Sequence, residues 1–196
     1  MELAQAFISV YDYLKGEETS PIRHEYLSGQ IFAMSGGSEE HNCIAGNIYA
    51  SLLTHLRGSG CKTFIADMKV KIAHRGADRY ASAHNSADIF YYPDVMVTCD
   101  PQDKEKYYKT RPCLIIEVLS PSTENLDRRE KRLNYQSIPS LQEYILVSQE
   151  EMKLEVYRPD KTGNWSREIL SKEDSLELKS VGLTLTMADI YDEVLA

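Results

Sequence analysis

The chain has 196 residues, 42% hydrophobic and 27% charged, which is ordinary globular usage and excludes disorder, collagen-like repeats and a coiled coil. That length predicts one domain spanning 1–196, with enough core to fold without covalent cross-links. Acidic residues number 30 against 22 basic ones, a net charge of −8, so a nucleic-acid partner would need a local basic patch or metal cations to hold it.

No apolar run exceeds four residues, which predicts no membrane contact through a spanning helix. The N-terminus, Met1-Glu2-Leu3-Ala4-Gln5, lacks the basic and apolar regions of a signal peptide, so the expected location is cytoplasmic. Cys43, Cys61, Cys99 and Cys113 contain no C-x-x-C pair, and with that location they are expected to be buried thiols and not disulfides or a zinc site.

Residues 24–34 read as a β-hairpin turning at Ser28-Gly29. Ser38 is a good helix N-cap, with Glu39 and Glu40 in the first turn. The helix that follows has an apolar face of Ile44, Ile48, Tyr49, Leu52, Leu53 and Leu56 and stops at Gly58 and Gly60. Residues 62–72 alternate apolar and polar and predict one strand with one buried face. Residues 74–87 read as a polar, substrate-facing loop. Strands are expected over 89–98 and 113–119, separated by a charged loop at 100–111. A helix opens after Pro121, capped by Ser122 or Thr123, and runs to about Gln136. Residues 144–148, 152–158 and 165–170 read as further strands, and 186–194 as a closing helix. This order predicts a mixed central β-sheet flanked by helices, in the α/β to α+β range.

Glu117 interrupts Cys113-Leu114-Ile115-Ile116 and Val118-Leu119, a run that otherwise reads as a strand buried on both faces. An unpaired carboxylate there costs several kcal/mol or stays protonated, so a cationic neighbour is expected. Asp94 has a similar apolar setting in Tyr91-Tyr92-Pro93-Asp94-Val95-Met96-Val97. Two acids on successive strands can serve as hard oxygen ligands for Mg²⁺. The plainer alternative is that Asp94 ends a turn and Glu117 is a buried ion-pair partner, and spacing alone favours it.

Tyr92-Pro93-Asp94, then Glu117-Val118-Leu119-Ser120-Pro121-Ser122-Thr123, then Asp127, Lys131, Tyr135 and Glu143-Tyr144 resemble the Uma-two family of restriction-type endonucleases. Glu25…Gly29 and Ser35-Gly36-Gly37…His41 fit the same family, and the resemblance covers about residues 22–160. It implies the PD-(D/E)XK phosphodiesterase superfamily, a restriction-endonuclease-like core and Mg²⁺-dependent cleavage of DNA, with Mn²⁺ as a substitute. Asp94 and Glu117 match the two acidic positions, and the Val118 backbone carbonyl is a further candidate ligand. The usual lysine position holds Leu119, and Lys131 on the next helix is the candidate that replaces it. Leu119 shares strand parity with Glu117 and is expected to look into the same cleft.

Geometry permits the exchange: Lys131 lies roughly 12 Å along the helix and Glu117 about 7 Å back from the strand end. The alternative is that Asp127 and Lys131 form only an i, i+4 surface pair. Glu25 and His41 could orient the attacking water, and Tyr135 joins them as a supporting candidate. Arg111, Arg128, Arg129 and Arg132 are the candidate phosphate contacts, with Lys69 and Lys71 ambiguous. A homodimer follows from the family resemblance and two-stranded substrates. The competing reading is a non-catalytic module that keeps the nuclease fold and binds nucleic acid or protein.

Overall fold

The structure is a computed structural model and describes residues 7–73, 88–121 and 123–195. The loop read at 74–87 and the candidate cap Ser122 lie outside the described residues. Helix α1 (Val10–Glu17) leads into the hairpin β1 (His24–Leu27) and β2 (Gln30–Ala33). Ser28 and Gly29 both have positive φ, 48° and 99°, as a tight hairpin turn requires. Helix α2 (Glu39–His55) starts where Ser38 Oγ accepts the His41 backbone N–H at 3.2 Å. Then come β3 (Lys62–Ile65), β4 (Lys69–Ile72), β5 (Ile89–Tyr91), β6 (Val95–Thr98), β7 (Tyr108–Lys109) and β8 (Leu114–Leu119). Helical residues follow as α3 (Glu124–Leu126), a π-helical turn (Asp127–Lys131) and α4 (Arg132–Gln136). The chain ends with β9 (Glu143–Ser148), β10 (Lys153–Pro159), β11 (Trp165–Ser171), β12 (Ser175–Leu178), β13 (Leu183–Thr186) and α5 (Met187–Ile190).

The strands form a six-stranded sheet, β11-β10-β9-β8-β6-β3, a five-stranded sheet, β2-β1-β5-β4-β7, and the small pair β12-β13. The six-stranded sheet is mixed, because β8 and β9 run parallel while its other pairs are antiparallel. Strand β8 alternates between two cores. Leu114, Ile116 and Val118 pack with Ile44, Ile48 and Leu52 of α2, and with Leu176, Leu178, Leu185 and Ile190 from the C-terminal segment. Ile115 and Leu119 pack on the opposite face with Val70, Ile72, Tyr91, Tyr135 and Leu146. The sheet is therefore covered on both sides, as expected for a mixed sheet with a parallel pair at its centre.

Two expected strands are each split between the sheets. Residues 62–72 break at Ala66, whose φ is 56°, so β3 joins the six-stranded sheet and β4 the five-stranded one. Residues 89–98 break at Tyr92-Pro93-Asp94, where Pro93 has no N–H to offer a ladder, and β5 and β6 part company in the same way. The closing helix is also shorter than expected, with α5 covering only Met187–Ile190. Among the described residues no helix is long and apolar enough to cross a membrane.

The cysteine expectation is overturned. Cys61 and Cys99 form a disulfide, because the register Lys62↔Thr98 sets them opposite each other just beyond the β3–β6 ladder, Cα atoms 4.1 Å apart. Cys43 and Cys113 are free, and burial pushes the Cys113 thiol up to about 11. The bridge spans 38 residues of chain, for which loop-closure entropy gives about 4 kcal/mol of stabilisation. The Cys61→Ser/Cys99→Ser protein should therefore denature at distinctly lower urea than wild type, and dithiothreitol should lower the wild-type midpoint but not the variant's. Identical midpoints would remove the cross-link from the stability of the native chain.

Candidate active site

Asp94 and Glu117 meet because β6 and β8 are hydrogen-bonded neighbours. Each carboxylate is bonded to the other's strand: the Asp94 N–H donates to Glu117 Oε2 at 3.2 Å, and the Val118 N–H donates to Asp94 Oδ2 at 2.7 Å. The Tyr135 hydroxyl donates to Glu117 Oε1 at 2.8 Å. Lys131 Nζ reaches the same oxygen at 3.4 Å and also lies 3.0 Å from Glu25 Oε1 and 3.3 Å from Asp127 Oδ1. On the other side, His41 Nε2 lies 3.2 Å from Asp94 Oδ2.

The structure thus brings together Asp94, Glu117, Val118, Lys131, Glu25, His41 and Tyr135. Asp127 and Lys131 are not a surface pair; they are 2% and 5% exposed. The widened π-helical turn that contains both is a feature common at functional sites. The buried face of this helical segment is polar, Asp127, Lys131 and Tyr135, while Leu133 is 61% exposed. Asp127 thus joins the site through Lys131, a role the sequence analysis did not assign to it. Its i, i+4 spacing to Lys131 was the available signal.

Leu119 is on the Glu117 face, as parity requires, but it packs into the core with Tyr135 and Leu146 and does not line the cleft. The arginine candidates lie outside the cleft as well. Arg111 pairs with Asp100 at 2.8 Å, six residues before Glu117 and so roughly 20 Å away along the chain. Arg128 is held by Glu155 and Glu124, Arg132 caps the Arg128 carbonyl, and Arg129 is exposed on the helix. The cleft has a volume of about 630 Å³, with Asp94, Glu117, Asp127 and Lys131 at its base and Arg23 among its walls. Arg23 donates to the Ala66 carbonyl at 3.0 Å and pairs with Asp67 at 2.7 Å. Nothing in its local sequence marks it out.

Charge is unbalanced here. Burial pushes the Glu117, Glu25 and Asp127 carboxyls upward, with Glu117 well above its ordinary value, although Lys131 pulls each of them down. Burial works to lower the Lys131 ammonium, but Glu117, Glu25 and Asp127 together outweigh it and hold it well above its ordinary value. Lys131 is therefore a fixed cation. A carboxyl raised on folding binds protons more readily in the native state, so stability falls as pH rises from its ordinary value through the raised one. Urea midpoints should accordingly rise as the pH is lowered toward the ordinary carboxylate range, and Glu117→Gln should flatten that rise. An equally steep rise in Glu117→Gln would show that Glu117 does not carry the effect.

The donor set suits a hard cation. Asp94, Glu117 and the Val118 carbonyl offer oxygens only, and Mg²⁺ takes one or two carboxylates and completes its shell with water and phosphate oxygens. Glu25 Oε1, Asp127 Oδ1 and Glu117 Oε1 share the one Lys131 ammonium, so three buried carboxylates face a single positive charge, a negative surplus that a second cation would relieve. Among the described residues no three His, Cys, Asp or Glu side chains are already spaced as a ligand set. Two carboxylates and a carbonyl are what the site provides.

Comparison with known proteins bears on the family and the fold. The Uma2 family, described as "Putative restriction endonuclease", matches residues 10–188. The uncharacterized protein slr1290 of Synechocystis sp. (strain ATCC 27184 / PCC 6803 / Kazusa) is 38% identical over 185 residues, covering 94% of this chain and 91% of that protein. The uncharacterized protein sll1609 of the same organism is 30% identical over 161 residues, covering 81% and 84%. A solved structure from Anabaena variabilis ATCC 29413, described as "a putative nuclease belonging to DUF820", superimposes with a TM-score of 0.70 at 17% identity, covering 96% of this chain and 99% of that one. The fold is nuclease-like, and the chain belongs to the Uma2 family.

Proposed function

We propose that this protein is a Mg²⁺-dependent endonuclease that hydrolyses phosphodiester bonds in DNA, with Mn²⁺ able to replace Mg²⁺. The observation that carries the reading is the Lys131 ammonium, delivered from a helix to within 3.4 Å of Glu117 in an open cleft, where it supplies the cation that Leu119 on the strand cannot. Asp94, Glu117 and the Val118 carbonyl would hold the metal. When bound, the cation supplies Lewis acidity that neutralises charge building on the phosphate.

The protein's own groups do the rest. Tyr135 donates to Glu117 and fixes its orientation. Glu25 and Asp127 keep Lys131 charged and aimed at Glu117. Lys131 stays protonated, so it steadies negative charge and orients the attacking water without accepting its proton. Arg23 in the cleft wall is the cation placed to meet a backbone phosphate in a protein whose net charge is −8. Cutting both strands would take two copies, and a homodimer belongs to the reading.

Supercoiled plasmid incubated with Mg²⁺ or Mn²⁺ should be nicked, and EDTA should stop it. Intact plasmid across metals and pH would overturn the reading. It would favour a module that binds without cutting, to which the acidic charge and the backbone-tied carboxylates also lend support.

A further inference from the structure

His41 holds an unexpected position. It sits in the first turn of α2, where its backbone N–H is capped by Ser38 Oγ at 3.2 Å, so the main chain there is fixed. Its ring lies 3.2 Å from Asp94 Oδ2, and against burial the Val118 backbone beside it helps Asp94 push the imidazole pKa upward. Those are two of the three groups assigned above to the metal. A histidine that supports a metal site holds a ligand from behind. This ring instead lines the same cleft as Asp94 and Val118, with Nε2 against the Asp94 oxygen that also accepts the Val118 N–H.

Gly37 is what allows the ring to lie there. A Cβ at that position would fall 2.9 Å from His41 Nδ1 and 3.1 Å from Cγ, too close for both to keep their places.

We propose that the His41 imidazole is a placeholder for the metal, bridging Asp94 and the Val118 carbonyl while the site is empty and swinging into the cleft when a divalent cation enters. The inference rests on the metal reading of the same site and adds a competitor to it. When a binding-competent state is only fractionally populated, the apparent affinity falls by that fraction. Removing the ring should therefore tighten metal binding. A supporting histidine predicts the opposite, a loss of about 10- to 100-fold.

The test is Mn²⁺ binding without DNA, read from the electron paramagnetic resonance signal of the free ion at one fixed pH. His41→Ala should bind Mn²⁺ about 10-fold more tightly than wild type if the ring is in place some nine-tenths of the time. Gly37→Ala keeps the imidazole but displaces it, and should tighten binding in the same direction. That tightening cannot come from deleting a positive charge. Adding Asp94→Asn should weaken binding in both backgrounds, and Mg²⁺ should shift the His41 ring resonances of the wild type. If wild type binds Mn²⁺ and neither variant binds it more tightly, the placeholder is overturned while the metal reading stands. If neither wild type nor the variants bind Mn²⁺, both fall together.

Discussion

Asp94→Asn and Glu117→Gln should each reduce Mg²⁺-dependent plasmid cleavage by about 10³-fold or more, because each removes an anionic oxygen from the proposed metal site at almost constant volume. Neither change should unfold the protein. In Asp94→Asn the amide oxygen can still accept the Val118 N–H, now bonded at 2.7 Å. In Glu117→Gln the amide can keep its oxygen toward the Asp94 N–H and turn its nitrogen toward Tyr135, whose hydroxyl can reverse from donor to acceptor. Lys131 still faces Glu25 and Asp127. Because ionised Glu117 is costly to bury, metal-free Glu117→Gln should melt at or above the wild-type temperature.

Wild type and the two variants should separate when Mg²⁺ is added. A cation that binds only the folded state stabilises it by about 2.7 kcal/mol at 100 times its dissociation constant, and wild type should show that upward shift. Glu117→Gln and Asp94→Asn should not. The decisive pair of measurements is melting temperature against Mg²⁺ and cleavage at saturating Mg²⁺. A variant that retains both the shift and the activity would falsify the metal role of that residue.

Much of this site is legible in the sequence, and the reasons differ from residue to residue. Glu117 announces itself because a charge within an apolar run needs a cation, and Lys131 is the cation found. The hairpin at Ser28-Gly29 and the helix after Ser38 are local matters of turn and cap chemistry, and both stand where expected. The breaks at Ala66 and at residues 92–94 are not legible, since apolar alternation runs through 62–72 undisturbed while the chain changes sheets. Ala66 adopts a left-handed backbone with no glycine to signal it.

The helical segment after Pro121 misleads in another way. Hydrophobic periodicity assumes an apolar core, and here the segment packs against carboxylates, so its inward residues are Asp127, Lys131 and Tyr135. The Cys61–Cys99 bridge depends on a strand register, which cysteine spacing alone does not encode.

Lys131→Gln should lose about 10²–10³-fold in single-turnover cleavage at saturating Mg²⁺, the range for removing one preorganised electrostatic group. Glutamine is the informative neutral replacement. Both neutral replacements break a buried ion pair from one side, at about 3–5 kcal/mol, but Lys131→Ala would also leave Glu25, Glu117 and Asp127 facing a void, so melting curves must accompany the rates. Lys131→Arg should retain more activity than Lys131→Gln, because the site holds its cation permanently protonated and so needs charge in place more than proton exchange. It should still fall short of wild type, since a planar guanidinium is bulkier than the ammonium that lies 5.4 Å from the Tyr91 ring centre.

Returning a lysine to the strand should not help. Leu119 is 5% exposed and packs in the core beside Tyr135 and Leu146, so Leu119→Lys would desolvate its ammonium away from the three carboxylates. Lys131→Gln/Leu119→Lys should therefore melt lower than Lys131→Gln and cleave no faster. Wild-type rates in Lys131→Gln would end the role of this lysine. Recovery in the double variant would mean that the strand position does open into the cleft, contrary to the packing of Leu119.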